Sequence, residues 1–281
     1  MKFETKAELK YNILSPATLI LNIHALKTPR QTVLEETLVI EPYLKAEELS
    51  SEHGENRLIR IEILKDEDIT ISYKAVVDNF FRETNHTDQP EISVANLDTS
   101  IFPYLYPSRY CQSDKLYRFA NNKFGSIKNP YLQVLELTNW INSNVEYLSG
   151  STNSQTSAYD TLTELAGVCR DFAHLGIALC RALTIPARYF TAYAYKLNPP
   201  DFHACFEAYL GNEWVPFDAT KLVPLNGIVK IATGRDAADT AIASLFGNVS
   251  CKEINVSCKV AEEGFKPFYY KPAELKGLSY Q

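Results

Sequence analysis

The sequence has no run of 18 apolar residues, so a helical membrane span is not expected. Its first residues, Met1-Lys2-Phe3-Glu4-Thr5-Lys6, lack the apolar stretch that a secretory signal needs. Among six cysteines there is no Cys-x-x-Cys pair and no regular spacing, which argues against a disulfide framework. An excess of basic charge is also missing. The net charge is −6, from 28 Lys and Arg against 34 Asp and Glu, so no general electrostatic grip on nucleic acid or anionic lipid is expected. Internal repeats and low-complexity tracts are absent. Together these absences predict a cytoplasmic protein with mostly reduced thiols and no nucleic-acid or membrane partner. They leave the oligomeric state open.

At 281 residues, 46% apolar and 22% charged, the chain can build two modest domains with a sizeable core. Residues 1–98 read mainly as strands. Leu19 to Ala25, Gln31 to Ile40, Arg57 to Leu64 and Ile69 to Val77 are rich in β-branched residues, and polar clusters such as Ser50-Ser51-Glu52-His53-Gly54 separate them. Several short strands in succession predict an N-terminal β-sandwich-like domain. It carries no catalytic constellation, because His24, His53 and His86 each lack a partner nearby in sequence. The polar segment 79–100, with Pro90, reads as a linker, and residues 99–281 as a second domain.

That second part mixes helices and strands, an α+β pattern. Residues 132–145 and 156–165 show helical patterning. Phe172, Leu175, Leu179 and Leu183 form a core-facing helical stripe, flanked by the small residues Ala173, Gly176 and Cys180, along which another backbone could approach closely. Pro186 ends that helix, and Arg188 to Tyr195 reads as a strand.

Cys169 opens this central helix, just after Gly167-Val168. Unpaired N–H groups and the positive end of the helix dipole favour an anion there. Such positions beside an imidazolium are where cysteine thiols become nucleophiles. The same N–H groups could donate to a carbonyl oxygen that gains charge. Downstream, residues 203–210 and 213–220 flank Gly211-Asn212, a hairpin signal. With those two as the turn, residue 205 faces 218 and 203 faces 220. His203 and Asp218 are then diagonal neighbours on one face, within side-chain reach. Asp218 can fix one imidazole nitrogen and leave the other for Cys169. The predicted catalytic set is therefore Cys169, His203 and Asp218. Asp218 could instead make a simple Asx-type turn with Thr220.

Four further positions are substrate-binding candidates. Tyr106 and Tyr110 belong to an aromatic cluster with Tyr104 that could wall the site or donate to an oxyanion. His174 lies on the helix just past Cys169, and Cys205 shares a strand face with His203. Cys169, His174, His203 and Asp218 are all zinc-capable, yet no short chelating pair stands nearby and the thiol has a ready base. No metal or cofactor is expected.

The segments Gly167-Val168-Cys169-Arg170-Asp171-Phe172-Ala173-His174, Ile185-Pro186-Ala187-Arg188-Tyr189, His203-Ala204-Cys205-Phe206-Glu207-Ala208-Tyr209 and Phe217-Asp218-Ala219-Thr220 resemble the bacterial transglutaminase-like superfamily. The likeness extends to Leu105-Tyr106-Pro107-Ser108-Arg109-Tyr110 and Ala232-Thr233-Gly234-Arg235-Asp236-Ala237-Ala238-Asp239, and so covers roughly residues 100–250. The first hundred residues resemble the β-rich N-terminal region of such proteins. The resemblance implies a papain-like core, with Cys169 as nucleophile, His203 as base and then acid, and Asp218 as orienter. Cys205 stands where the family often has tryptophan. The expected activity is cysteine-dependent hydrolysis of a peptide or protein amide through an acyl-thioester. Transamidation of protein glutamine and a non-catalytic peptide-binding module are the alternatives.

Overall fold

The computed structural model describes residues 1–50, 56–87, 92–271 and 274–280. Ser51 to Gly54 of the expected turn cluster, His53 among them, and Pro90 of the expected linker lie outside the described residues. The first strands are β1 (Lys2–Ile13), β2 (Ala17–Leu21), β3 (Gln31–Glu41), β4 (Ala46–Ser50), β5 (Arg57–Ile63), β6 (Glu67–Asn79) and β7 (Arg82–Asn85). There follow α1 (Ser113–Phe124), α2 (Pro130–Asn144), β8 (Glu146–Tyr147), α3 (Ala158–Glu164), β9 (Ala166–Gly167) and α4 (Cys169–Ala182). The chain then forms β10 (Ala187–Ala194), β11 (Phe202–Leu210), β12 (Glu213–Phe217), β13 (Ile228–Gly234), β14 (Ala243–Phe246), β15 (Val249–Val260) and β16 (Lys276–Ser279).

Two four-stranded sheets, β15-β1-β6-β3 and β14-β2-β5-β4, share one apolar core that includes Phe3, Leu9, Tyr11, Leu19, Ile61, Ile71 and Tyr73. The inward positions of β1 alternate strictly, from Phe3 to Ile13. Two of them are Thr5 and Ala7, which weakens the local signal, and the sequence reading has no strand there. β1 gains its pairing from β6 and from β15, which lies some 250 residues further along. The sequence reading placed residues 99–281 in the second domain, yet β14 and β15 hydrogen-bond into the N-terminal sheets. The expected linker also holds a strand, since polar β7 pairs with β16 near the C-terminus. No local pattern announces a strand made by so distant a partner.

A third four-stranded sheet runs β12-β11-β10-β13, antiparallel throughout. Phe206 faces Phe217 and Leu210 faces Glu213, which is the register that the Gly211-Asn212 turn requires. Both turn residues have positive φ, 60° and 65°, the conformation of a tight type I′ turn. α4 packs across this sheet on its small-residue stripe. A Cβ built on Gly176 would lie 2.5 Å from the Phe206 ring, so only glycine permits this approach. Phe206, Phe172 and Leu175 bury their side chains here, each worth about 1.5–3 kcal/mol.

The N-terminal domain seals the edge strand β13. Leu26 N–H donates to the Lys230 carbonyl at 2.9 Å, and Lys230 N–H donates to Gln31 Oε1 at 2.8 Å. Tyr193 O–H donates to the Ile23 carbonyl at 2.6 Å. Tyr193, Val229 and Ile231 complete the core of the sandwich, so the two domains share apolar packing.

Candidate active site

The loop before α4 is shaped around Asp171. Its carboxylate accepts from the Val168 N–H at 2.9 Å and caps the helix from the third position. Asp171 is fully buried, and Thr152 donates to its other oxygen at 3.2 Å. A Cβ on Gly167 would sit 2.7 Å from the Asp171 Cβ, so glycine lets the strand-to-helix turn close. Cys169 thus occupies the first helical position, where backbone N–H groups have no helical partner. It is a free, half-buried thiol.

β11 brings His203 to this helix end, and the β11–β12 hairpin brings Asp218 to His203. His203 Nε2 lies 3.2 Å from Asp218 Oδ2, with both side chains essentially buried. Asp218 Oδ1 accepts from the Thr220 N–H at 2.9 Å and the Thr220 O–H at 2.6 Å. The Asx-type turn and the contact with histidine therefore coexist, one on each carboxylate oxygen. His203 Nδ1 is buried and takes no hydrogen bond within the fold. Two thiols, those of Cys205 and Cys169, lie near enough to raise the basicity of the ring.

Burial disfavours charge on both His203 and Asp218, and for each the neighbouring groups together more than offset it. Burial opposes an imidazolium at His203, but the neighbouring Cys205, Asp218 and Cys169 hold its pKa well above 6.5. Burial pushes the Cys205 thiol itself to about 12, so that group is neutral at physiological pH and Asp218 is the lasting negative partner. Asp218 is also subject to desolvation, yet His203 and Thr220 hold its carboxyl below the ordinary value. The pair thus favours a charged ring on a charged carboxylate.

The substrate-binding candidates are placed less openly. His174 is fully buried, with its ring stacked on Tyr110 at 5.0 Å and tilted against Tyr189 at 5.0 Å. Its Nε2 accepts from the Ala237 N–H at 3.1 Å, and burial holds its pKa well below 6.5, so the ring is neutral. Cys205 is 1% exposed and packs with Phe190 and Val223. Neither His174 nor Cys205 presents an atom to an incoming chain. Tyr110 is half-buried and donates its hydroxyl to the Ser154 carbonyl at 2.8 Å. Tyr106 is exposed.

The Arg235-Asp236 motif takes a clear part. Asp236 accepts from the Tyr110 N–H at 2.9 Å, and buried Arg181 donates to the carbonyls of Arg235, Ala187 and Tyr106. This network clamps the aromatic loop onto α4. Glu207, one strand position pair beyond Cys205, is fully buried between Arg188, at 2.7 Å, and Lys230.

Tyr147 has no place in the sequence reading, since it follows the end of the patterned helix with no motif of its own. Its short strand β8 runs parallel to β9, with Tyr147 opposite Gly167. Its ring packs on Phe172 at 5.8 Å. Burial, followed by the neighbouring Cys169, raises the pKa of its hydroxyl.

His203, Cys205 and Asp218 also offer three ligand atoms within 4.8 Å of one another. The oxygen of Asp218 that would serve is engaged by His203 and the Cys205 thiol is held protonated, so these residues fit a hydrogen-bonded relay better than a resident cation.

Two family models match the chain. Residues 1–100 match the bacterial transglutaminase N-terminal domain, and residues 117–219 match the transglutaminase-like superfamily. A crystal structure of a candidate cysteine protease from Cytophaga hutchinsonii is 56% identical, with a TM-score of 0.99 over 100% of this chain and 98% of that one. An uncharacterized protein of Mycobacterium leprae is 28% identical over 146 residues, 49% of this chain and 52% of its own length. An uncharacterized protein of Mycobacterium tuberculosis is 34% identical over 129 residues, 40% of this chain and 41% of its own. The chain spans about half the length, or less, of these mycobacterial relatives. The chain belongs to the transglutaminase-like superfamily of cysteine-based hydrolases and transamidases.

Proposed function

We propose that this protein is a cysteine-dependent amide hydrolase acting on a peptide or protein in the cytoplasm. One observation supports the reading: His203 Nε2 lies 3.2 Å from Asp218 Oδ2, and its buried Nδ1 has no hydrogen-bond partner in the fold, a nitrogen that we assign to the Cys169 sulfur. In the first half-reaction the sulfur attacks the amide carbonyl and a C–S bond forms. The thiol proton has already passed to His203, giving a thiolate beside an imidazolium, and as the thiolate adds, the carbonyl electrons move onto oxygen. Collapse of that oxyanion breaks the C–N bond, and His203 returns the proton to the leaving amine. Water then attacks the thioester and gives its proton to His203, and the thiolate departs. Asp218 steadies the ring while it is charged.

Alkylation and turnover test this. Iodoacetamide at mildly acidic pH should label Cys169 selectively, and His203→Ala should abolish that selectivity. Slow, equal labelling of several cysteines would favour a binding module without chemistry. A glutamine peptide, offered with and without a primary amine, separates hydrolysis from transfer. Free ammonia without an amine adduct supports hydrolysis, and a dominant adduct would replace it with transamidation.

A further inference from the structure

Cys205 has no part in the proposed reaction, yet its sulfur lies beside both groups of the relay. One ligand atom each from His203, Cys205 and Asp218 lie within 4.8 Å of one another, and all three side chains are buried. Imidazole nitrogen, thiolate sulfur and carboxylate oxygen are the donors that zinc takes. With bonds of about 2.0–2.1 Å, a tetrahedral zinc ion holds a nitrogen and an oxygen about 3.3 Å apart. His203 Nε2 and Asp218 Oδ2 already stand 3.2 Å apart. A sulfur ligand belongs about 3.5 Å from each, so the Cys205 side chain has little more than about 1 Å to close. A doubly positive ion on one thiolate and one carboxylate is neutral overall, which suits a buried place. A cavity of about 60 Å³ reaches Asp218 between Val223, Leu225, Tyr269 and Tyr270, and Val223 and Leu225 also pack with Cys205. It offers an approach for the ion and room for a water as fourth ligand.

We infer that His203 Nε2, Cys205 Sγ and Asp218 Oδ2 form an inhibitory site for a tetrahedral, sulfur-binding divalent cation of the zinc class. The relay is the resting arrangement, and the cation competes with it rather than residing there. On binding, the imidazolium gives up its Nε2 proton and Cys205 its S–H proton, both to solvent. Bonds from nitrogen, sulfur and the carboxylate oxygen to the metal replace the contact between His203 and Asp218. The ring keeps its remaining proton on Nδ1, the nitrogen assigned to Cys169, and can accept no other. Cys169 stays off the metal but loses its base. The inhibition rests on the reading of His203 as that base; the binding does not.

The test titrates the purified full chain with zinc chloride, and with cobalt chloride as a coloured, weaker-binding divalent stand-in. Cobalt should bind in one equivalent and give the near-ultraviolet band of sulfur-to-cobalt charge transfer. Zinc should displace it and suppress acylation by 4-nitrophenyl acetate until EDTA is added. Cys205→Ala and Cys205→Val both remove the sulfur and keep an apolar side chain, so one misfolded variant does not decide the matter. Each should lose the band and bind zinc at least about 100-fold more weakly, since losing even an outer partner of a zinc ligand costs about 10–100-fold. Cys169→Ala should keep the band and its affinity. A band that persists in the Cys205 variants, or vanishes in Cys169→Ala, would overturn the site and place the metal on the nucleophile. A wild type that binds no stoichiometric zinc at millimolar concentration would overturn it as well. Cys205-dependent binding that leaves acylation untouched would overturn the inhibition and count against His203 as the base. Cys205-dependent binding to a chain that never acylates would support the site and remove the hydrolase reading instead.

Discussion

Replacing Asp218 with asparagine removes one charge and almost no volume, and its consequences can be worked from the hydrogen bonds. The carboxylate receives four donors. Thr220 gives two to Oδ1, at 2.9 and 2.6 Å, and His203 Nε2 and the Val223 N–H approach Oδ2 at 3.2 and 3.4 Å. Asparagine has one acceptor oxygen and one NH2 group. Thr220 holds the oxygen, so the NH2 must face His203 Nε2 and the Val223 N–H. The ring then turns Nε2 into an acceptor and carries its proton on Nδ1, the nitrogen that should receive the proton of Cys169. The buried imidazolium also loses its lasting counter-charge, and desolvation is left to lower its pKa. The same swap in serine triads costs about 10⁴ in kcat. Here a loss of about 10²–10⁴ in the acylation burst with 4-nitrophenyl acetate is expected, or about 3–5 kcal/mol of barrier. The donor facing the Val223 N–H should also lower folding stability by about 1–3 kcal/mol, read from urea midpoints. A folded Asp218→Asn protein that acylates at the wild-type rate would refute the relay.

Other expectations follow from the same coordinates. Glu207→Gln leaves Arg188 and Lys230 without their buried counter-charge and should destabilise the protein by about 3–5 kcal/mol in urea titrations; an unchanged midpoint would contradict the buried ion triad. Gly176→Ala drives a methyl into the Phe206 ring and should lower stability by about 1–3 kcal/mol, visible as a lower Tm. Burial, with Arg57 beside it, lowers the pKa of His24 to about 4, and burial lowers that of His174 well below 6.5. Below pH 6.5 the unfolded chain binds protons that these folded rings refuse, so stability should fall by about 1.4 kcal/mol per pH unit for each ring. His203 has the opposite sign, since its folded pKa is raised, and its contribution is present below pH 6.5 and lost as pH rises through the folded value. Urea midpoints that stay level between pH 6.5 and 4 would contradict the burial of His24 and His174.

The fold class and the hairpin carrying His203 and Asp218 were more legible in this sequence than the long-range strand pairing, for physical reasons. Cys169 could be placed because the helix after it has a strong apolar period. The Gly211-Asn212 turn fixes the β11–β12 register, because two consecutive positive φ angles admit few residue pairs. What escaped depends on distant partners. β7 is polar and exists by pairing with β16, and β1 is held by strands from both ends of the chain. The pairing of β15 with β1 across the expected boundary near residue 98 escaped for the same reason. Tyr147 was invisible because a two-residue parallel bridge to β9 sets its position, and a two-residue strand has no periodicity to read. His174 and Cys205 were singled out for their chemistry, but their apolar neighbours enclose them. The Arg235-Asp236 segment gained a role only once Arg181 and Tyr110 were seen to converge on it.

The most direct test observes the His203 ring itself. Nitrogen-15 NMR of the histidine side chains, followed through a pH titration, should show His203 protonated on both nitrogens well above pH 6.5 in the wild type. The transition should move down in Asp218→Asn and again in Cys169→Ala. A His203 ring that titrates at or below 6.5 in the wild type, or that ignores both substitutions, would contradict a cysteine nucleophile served by this imidazole.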